Sequence, residues 1–307
     1  MKKPLAIEEA PELANYQQQP GQLPAGAPGK RGFVHLGFAR RSDRTVLIDL
    51  ERRVPLLVQQ ALYFDEEMPE LACVYVVSTG GGILQGDRCA VEIHLGPDAQ
   101  AYVSTQSATK VHEMDANHAS QTQDIVLAEG AYLEYLPEPT IPFRHSRFLT
   151  RTRITVAPSA TLLYGEVLLA GRKYYGDGEC FAYDVYSSYV WAERPEGREL
   201  FVEKLLVEPE RANVRAAGVM GLFDVFANVL LLTPKPHAER ILASTPPELD
   251  LGRGLVAGAS RLPNDAGLVY KIAAHESEPV NAKVRAFWAR VRPEVTGRAV
   301  SERFAWR

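Results

Sequence analysis

"VSTGGGILQGDRCAVEIHL", residues 77–95, decides how the chain folds, because its glycines can be read in two ways. A phosphate loop has the pattern G-x-x-x-x-G-K-[ST], in which backbone amides cradle the phosphates and the lysine neutralises them. Gly81 and Gly86 have that separation, but Asp87 stands where the lysine belongs and Arg88 where the hydroxyl belongs. An anion at that point repels a phosphate. The dinucleotide pattern G-x-G-x-x-G fails as well, since Gly80 and Gly82 are followed by Gln85. Both loops would also open a helix. Residues 88–95 instead alternate Cys89, Val91, Ile93 and Leu95 with Arg88, Ala90, Glu92 and His94, which is the period of a strand. The stretch therefore reads as strand, glycine turn, strand, with Asp87 as the charge of the turn.

The same signature recurs outward from this point. Short β-type runs bounded by Gly, Pro, Asp or Asn lie at 34–40, 45–49, 54–62, 71–79, 88–95, 100–106, 122–127, 131–136, 149–156, 160–169, 180–192, 199–207, 222–232 and 267–273. That density predicts a mainly β architecture: a sandwich, a barrel or a β-helix. Two segments read as short helices, 238–244 and 279–292. In the second, Val280, Val284, Phe287, Trp288 and Val291 share one face, Ser277 or Glu278 is placed to cap it, and arginines close it. Residues 1–31, rich in Pro, Gln, Gly and Ala, lack periodicity and read as a disordered tail. No strict repeat and no break in composition divides the rest, so 32–307 is expected to form a single β-rich domain.

Bulk properties exclude several classes. The chain has 307 residues, 46% hydrophobic and 23% charged, with a net charge of −4. Nothing in that balance argues for nucleic acid or an anionic membrane as partner. Cys73, Cys89 and Cys180 are widely spaced, with no C-x-x-C, which suits a reducing compartment and offers no zinc framework. No apolar targeting segment and no run of 18 apolar residues is present, so a cytoplasmic location is expected.

The polar groups yield no obvious active site. "STQSATKVHEM", 104–114, offers hydroxyls beside Lys110 and His112, but no G-x-S-x-G or S-x-x-K, and such hydroxyls usually satisfy backbone groups. His112 and His118 read as solvated loop histidines; Glu92 and His94 share a strand face that could bind a metal or simply face water, and water or a polar contact is the favoured reading. In "LEYLPEPTIPF", 133–143, prolines 137, 139 and 142 enforce an extended segment and hold Glu138 on a stiff stalk. "TLLYGEVLLAGR", 161–172, puts Glu166 in an apolar run, where a carboxylate needs a partner such as Arg172 or a wet interior passage. Cys89 falls on the apolar side of its strand and reads as core.

Taken in order, "STGGGILQGD", "STQSATKVH", "LEYLPEPTIPF", "LLYGEVLLAGR" with "GECF", and "GASRLPNDAGLVYKIAA" before an amphipathic helix resemble the UreD (UreH) family of urease accessory proteins. The resemblance covers roughly residues 33–305. It implies an elongated, multi-stranded, mainly β fold with β-helical character and two short helices. It also implies a non-enzymatic role in urease maturation: a scaffold and nickel conduit that docks on apo-urease and links it to UreF-type and UreG-type partners. No cofactor is expected to bind tightly, and Ni²⁺ only transiently. Carboxylates and hydroxyls along a passage would hold a hydrated Ni²⁺ weakly and release it.

Carried over by motif, the candidates for the passage or a partner surface are Asp87, Thr105, Lys110, Glu138, Glu166, Arg172 and Glu179. The interval between the GR and GE motifs is two residues longer than is usual in the family, at Gly176–Asp177. The alternatives are a hydrolase using the Ser/Thr–Lys–His cluster at 104–112, or a scaffold for another metalloenzyme.

Overall fold

The computed structural model describes residues 7–18, 30–301 and 304. The first sheet takes β1 (Phe33–Arg41), β2 (Arg44–Arg53), β5 (Arg88–Leu95), β8 (Ala119–Leu127), β11 (Arg147–Val156), β13 (Val185–Glu193) and β14 (Glu199–Val207). The second takes β3 (Leu56–Leu57), β4 (Ala72–Ser78), β6 (Gln100–Thr105), β9 (Tyr132–Tyr135), β12 (Thr161–Leu169), β15 (Val225–Leu232), β16 (Glu248–Asp250), β17 (Leu255–Arg261) and β18 (Gly267–Ala274). Two short strands, β7 (Thr109–Val111) and β10 (Thr140–Pro142), pair with each other beside β12.

From β4 to β13 the chain alternates between the sheets, so each coil adds one strand to each. β5, β8, β11 and β13 run parallel, as do β4, β6, β9 and β12. This parallel coil is the β-helical character, and the architecture is multi-stranded and mostly β, with two α-helices of more than one turn among the described residues, as expected. The four-residue connections on one side, 96–99, 128–131 and 157–160, share a pattern. Each ends in a buried alanine (Ala99, Ala131, Ala160), and Tyr132 and Thr161 donate their backbone N–H to the carbonyls of Ala99 and Ala131. The chain thus has a structural repeat that is faint in sequence, because only the turn geometry and one small residue are shared.

On the opposite side the connections are long. Ile83 bridges Val111, and β7 pairs β10. The glycine turn, the 104–112 run, the Pro-rich segment and the 170–184 loop are therefore equivalent turns of successive coils, stacked along one edge. Gly81 and Gly82 carry φ of 72° and 149°. A Cβ at Gly82 would come 2.6 Å from the Lys110 carbonyl oxygen, so close stacking of two turns requires glycine there.

Apolar residues fill the space between the sheets; β5 shows it simply, with alternate residues buried. The second sheet is covered on its outer face too, by α1 (Lys235–Ala243) and α2 (Ser277–Thr296). That double burial explains the near-continuous apolar run of β15. β16 and β17 were not foreseen: their short, Gly- and Asp-bearing sequences hide the alternation. α2 starts two residues earlier and ends four later than its sequence pattern suggests. Arg292 does not serve its end as a solvated cation. Fully buried, it donates to both Glu134 oxygens at 2.8 and 2.7 Å and pairs with Asp65.

Part of the expected tail is packed. Ile7, Ala10 and Leu13 lie on Leu149 and Val185 at the outer face of the first sheet, and Glu12 meets Ser187 and Lys204. Residues 1–6 and 19–29 lie outside the described residues. Among the described residues no helix is long and apolar enough to cross a membrane.

Candidate functional site

Inward positions of the first sheet ought to be apolar, yet one row across its coil is not. Gln121 of β8 lies opposite Thr150 of β11, which lies opposite Ser188 of β13. Gln123 and Thr152 form a second polar pair one step along. Facing them from the second sheet are Tyr135, Tyr164 and Glu166, with Glu166 directly opposite Asn228 on β15.

Buried polar groups are costly unless they bond to one another. Here Tyr135 donates to Gln123 Oε1 at 2.6 Å, Gln123 donates to Tyr164 OH at 2.9 Å and to Thr152 Oγ1 at 2.8 Å, and Tyr164 donates to Glu166 Oε1 at 2.8 Å. Ser188 donates to both Glu166 oxygens, at 3.1 and 3.0 Å. Burial pushes the Glu166 carboxyl above its usual range, the bonds from Tyr164 and Ser188 pull it back in part, and the Glu203 charge adds to the rise.

These groups border open space. A cavity of about 170 Å³ is lined by Gly81, Gly82, Thr105, Lys110, Gln121, Gln123, Tyr135, Glu138, Thr150 and Glu166, among others. A smaller one of about 50 Å³ runs past Ser188 and Asn228 to Glu203 and Lys271. The two share Glu166 and Tyr186. Thr150 Oγ1 in the first and Asn228 Oδ1 in the second have no hydrogen-bond partner among the described residues. The two cavities are lined by neutral and acidic oxygens, with carboxylates at Glu138, Glu166 and Glu203, and by lysines at either end, Lys110 near Glu138 and Lys271 paired with Glu203.

Of the residues singled out in sequence, Thr105, Lys110, Glu138 and Glu166 line the larger cavity. Thr105 Oγ1 donates to the Ser107 carbonyl and accepts the Glu138 N–H at 2.9 Å, fixing the rim where Lys110 and Glu138 are exposed. The rim still withdraws the Glu138 carboxyl partly from water, which raises it, and Arg285 partly offsets the rise.

Asp87, Arg172 and Glu179 are not in the cavity wall. The Asp87 oxygens accept the backbone N–H of Lys30 and Leu84, each at 2.9 Å, and so pin the glycine turn. Arg172 pairs with Glu179 at 2.7 and 2.6 Å and lies over the rings of Phe143 and Tyr175. Arg172 is therefore not the partner of Glu166, and the lengthened 172–179 interval still brings its two ends together.

The hydroxyls of Ser104 and Thr105 are used by the backbone: Ser104 donates to the Leu136 carbonyl at 2.7 Å and Thr105 to that of Ser107. Among the described residues no hydrogen bond joins them to Lys110 or His112. His118 is fully buried rather than solvated, 3.2 Å from the Tyr16 carbonyl oxygen. Sequence reading passed over Gln121, Gln123, Thr150 and Ser188. The signal is present: Gln121 and Gln123 share the parity of Ala119, Ile125 and Leu127, Thr150 that of Phe148 and Ile154, and Ser188 that of Tyr186 and Val190, all buried.

Comparison with known proteins gives a consistent result. The profile of the family described as UreD urease accessory protein matches residues 30–307. The chain is 57% identical over 300 residues to "Urease accessory protein UreD 2" of Brucella ovis and of Brucella suis, covering 98% of this chain and 99% of each of those. It is 53% identical over 298 residues to "Urease accessory protein UreD" of Yersinia pseudotuberculosis, covering 97% and 93%.

Proposed function

The chain belongs to the UreD family of urease accessory proteins, and from that premise we propose that it is a maturation chaperone that conducts nickel. In this reading it works in the cytoplasm, docks on apo-urease and ties it to UreF-type and UreG-type partners. Nickel is cargo: a hydrated Ni²⁺ passes between the sheets from the Glu138 rim, by Glu166, to Glu203. The observation that carries the reading is that Glu166 stands in the walls of both interior cavities.

The chemistry suits transit rather than storage. Oxygen donors bind Ni²⁺ less firmly than imidazole or thiolate does. Hydroxyls and amides along the wall replace part of the hydration shell. The raised affinity of Glu166 for a proton marks a site where negative charge is unwelcome, so an arriving cation stabilises the carboxylate.

The test is co-expression of the urease subunits and the remaining accessory proteins with and without this chain, scoring urease activity and bound nickel. Loss of both without it, with co-purification of apo-urease and the UreF-type partner, supports the reading. Equal maturation in its absence would remove it.

A further inference from the structure

The outer face of the first sheet carries a second cluster, remote in purpose from the interior. His35 on β1 lies opposite Glu92 on β5 in a parallel ladder, and His94, two residues on, lies opposite Gly37. His35 Nδ1 is 3.0 Å from Glu92 Oε2, and its Nε2 is 3.5 Å from Asp49 Oδ2 on β2. The His94 ring stands edge-on to that of His35, with centroids 4.9 Å apart. One donor atom each from His35, Glu92 and His94 lies within 4.8 Å of the others.

Two details favour a ligand over a plain hydrogen-bonded pair. His94 Nε2 is buried and makes no close hydrogen bond among the described residues; its one ion-pair neighbour, Asp124 Oδ2, is 3.9 Å away, and Asp124 is engaged more closely by Arg153, at 2.8 Å through each oxygen. Gly37 keeps the space between the imidazoles and Asp49 open: a Cβ there would meet Asp49 Cβ at 2.8 Å and His35 Nε2 at 3.5 Å.

We propose that His35, Glu92 and His94 bind one late first-row divalent cation at this surface. Imidazole and carboxylate together suit Ni²⁺, Cu²⁺ and Zn²⁺, and disfavour Mg²⁺ and Ca²⁺. Donors about 2 Å from one ion lie about 3–4 Å apart, and partly exposed side chains close the remaining gap by small rotations. The site needs no partner protein and shares no residue with the interior cavities, so it stands or falls separately from the proposed conduit.

The experiment is equilibrium dialysis of the untagged full chain against Ni²⁺ alone and Zn²⁺ alone, with X-ray absorption at the metal edge to detect imidazole. The wild type is expected to hold one equivalent with imidazole scattering. His94→Asn and His35→Asn are expected to weaken it at least tenfold while melting as the wild type does without metal. Glu92→Gln, nearly isosteric, gives the same reading should a histidine variant be unstable. Absence of imidazole scattering, or undiminished binding in all three variants, overturns the proposal.

Discussion

Glu166 and Tyr186 are the two side chains that border both interior cavities, one from each sheet. Glu166 is also where the interior hydrogen-bond chain ends, accepting from Tyr164 and from Ser188. A fold that needed only stability would fill these positions with aliphatic residues, as the neighbouring turns of the coil do.

Glu166→Gln separates charge from shape. Burial makes the folded chain hold the Glu166 proton more tightly than the unfolded chain does. The contribution of Glu166 to stability is therefore complete below the ordinary carboxylate range and is lost as pH rises through its raised folded value. Glutamine cannot ionise. The variant is expected to melt with the wild type near pH 4 and above it at pH 8, in paired thermal scans. A difference that does not change with pH would contradict the assignment.

The ion pair of Arg292 with Glu134 and Asp65 ties α2 to the second sheet with no exposed surface. Removing one member leaves its partners charged in the core. Arg292→Met is expected to cost about 3–5 kcal/mol in urea unfolding. Loss of less than about 1 kcal/mol would show that the carboxylates find other partners.

Gly82→Ala tests the mouth. The backbone φ of 149° disfavours a side chain, and the new methyl would meet the Lys110 carbonyl at 2.6 Å. The expected cost is roughly 1–3 kcal/mol, with urease maturation reduced because Gly82 and Lys110 both line the cavity. Unchanged stability and maturation would mean that the stacked turns tolerate displacement.

Burial raises the thiols of Cys73 and Cys89 to about 12, and that of Cys180 less far. Thiolate is the reactive form. At pH 8 the native chain is expected to take up an alkylating reagent at Cys180 alone, and slowly, whereas unfolding exposes all three. Rapid labelling of Cys89 in the native chain would mean that the cavity wall opens.

Much of the fold was legible because strands with one buried face announce themselves by alternation, as Cys89–Leu95 does. β16 and β17 were missed because glycine and exposed polar residues break the period. The coil repeat escaped notice because its turns share a geometry and one alanine rather than a motif. For the site, Thr105, Lys110, Glu138 and Glu166 followed from ordered motifs, while Asp87, Arg172 and Glu179 are bonded to loop backbone or to each other. Only tertiary pairing separates those two groups. Gln121, Gln123 and Ser188 were readable in principle, as polar residues at inward parity, but which face is inward depends on the partner sheet.

The central claim is that nickel travels past Glu166. Its most direct test is the nickel content of urease matured by a chain carrying Ser188→Leu, which fills the space beside Glu166, with assembly of the accessory complex followed by co-purification. The account predicts that the complex forms and that nickel per urease falls by more than half. A full complement of nickel, delivered by a complex whose passage is blocked, would contradict it.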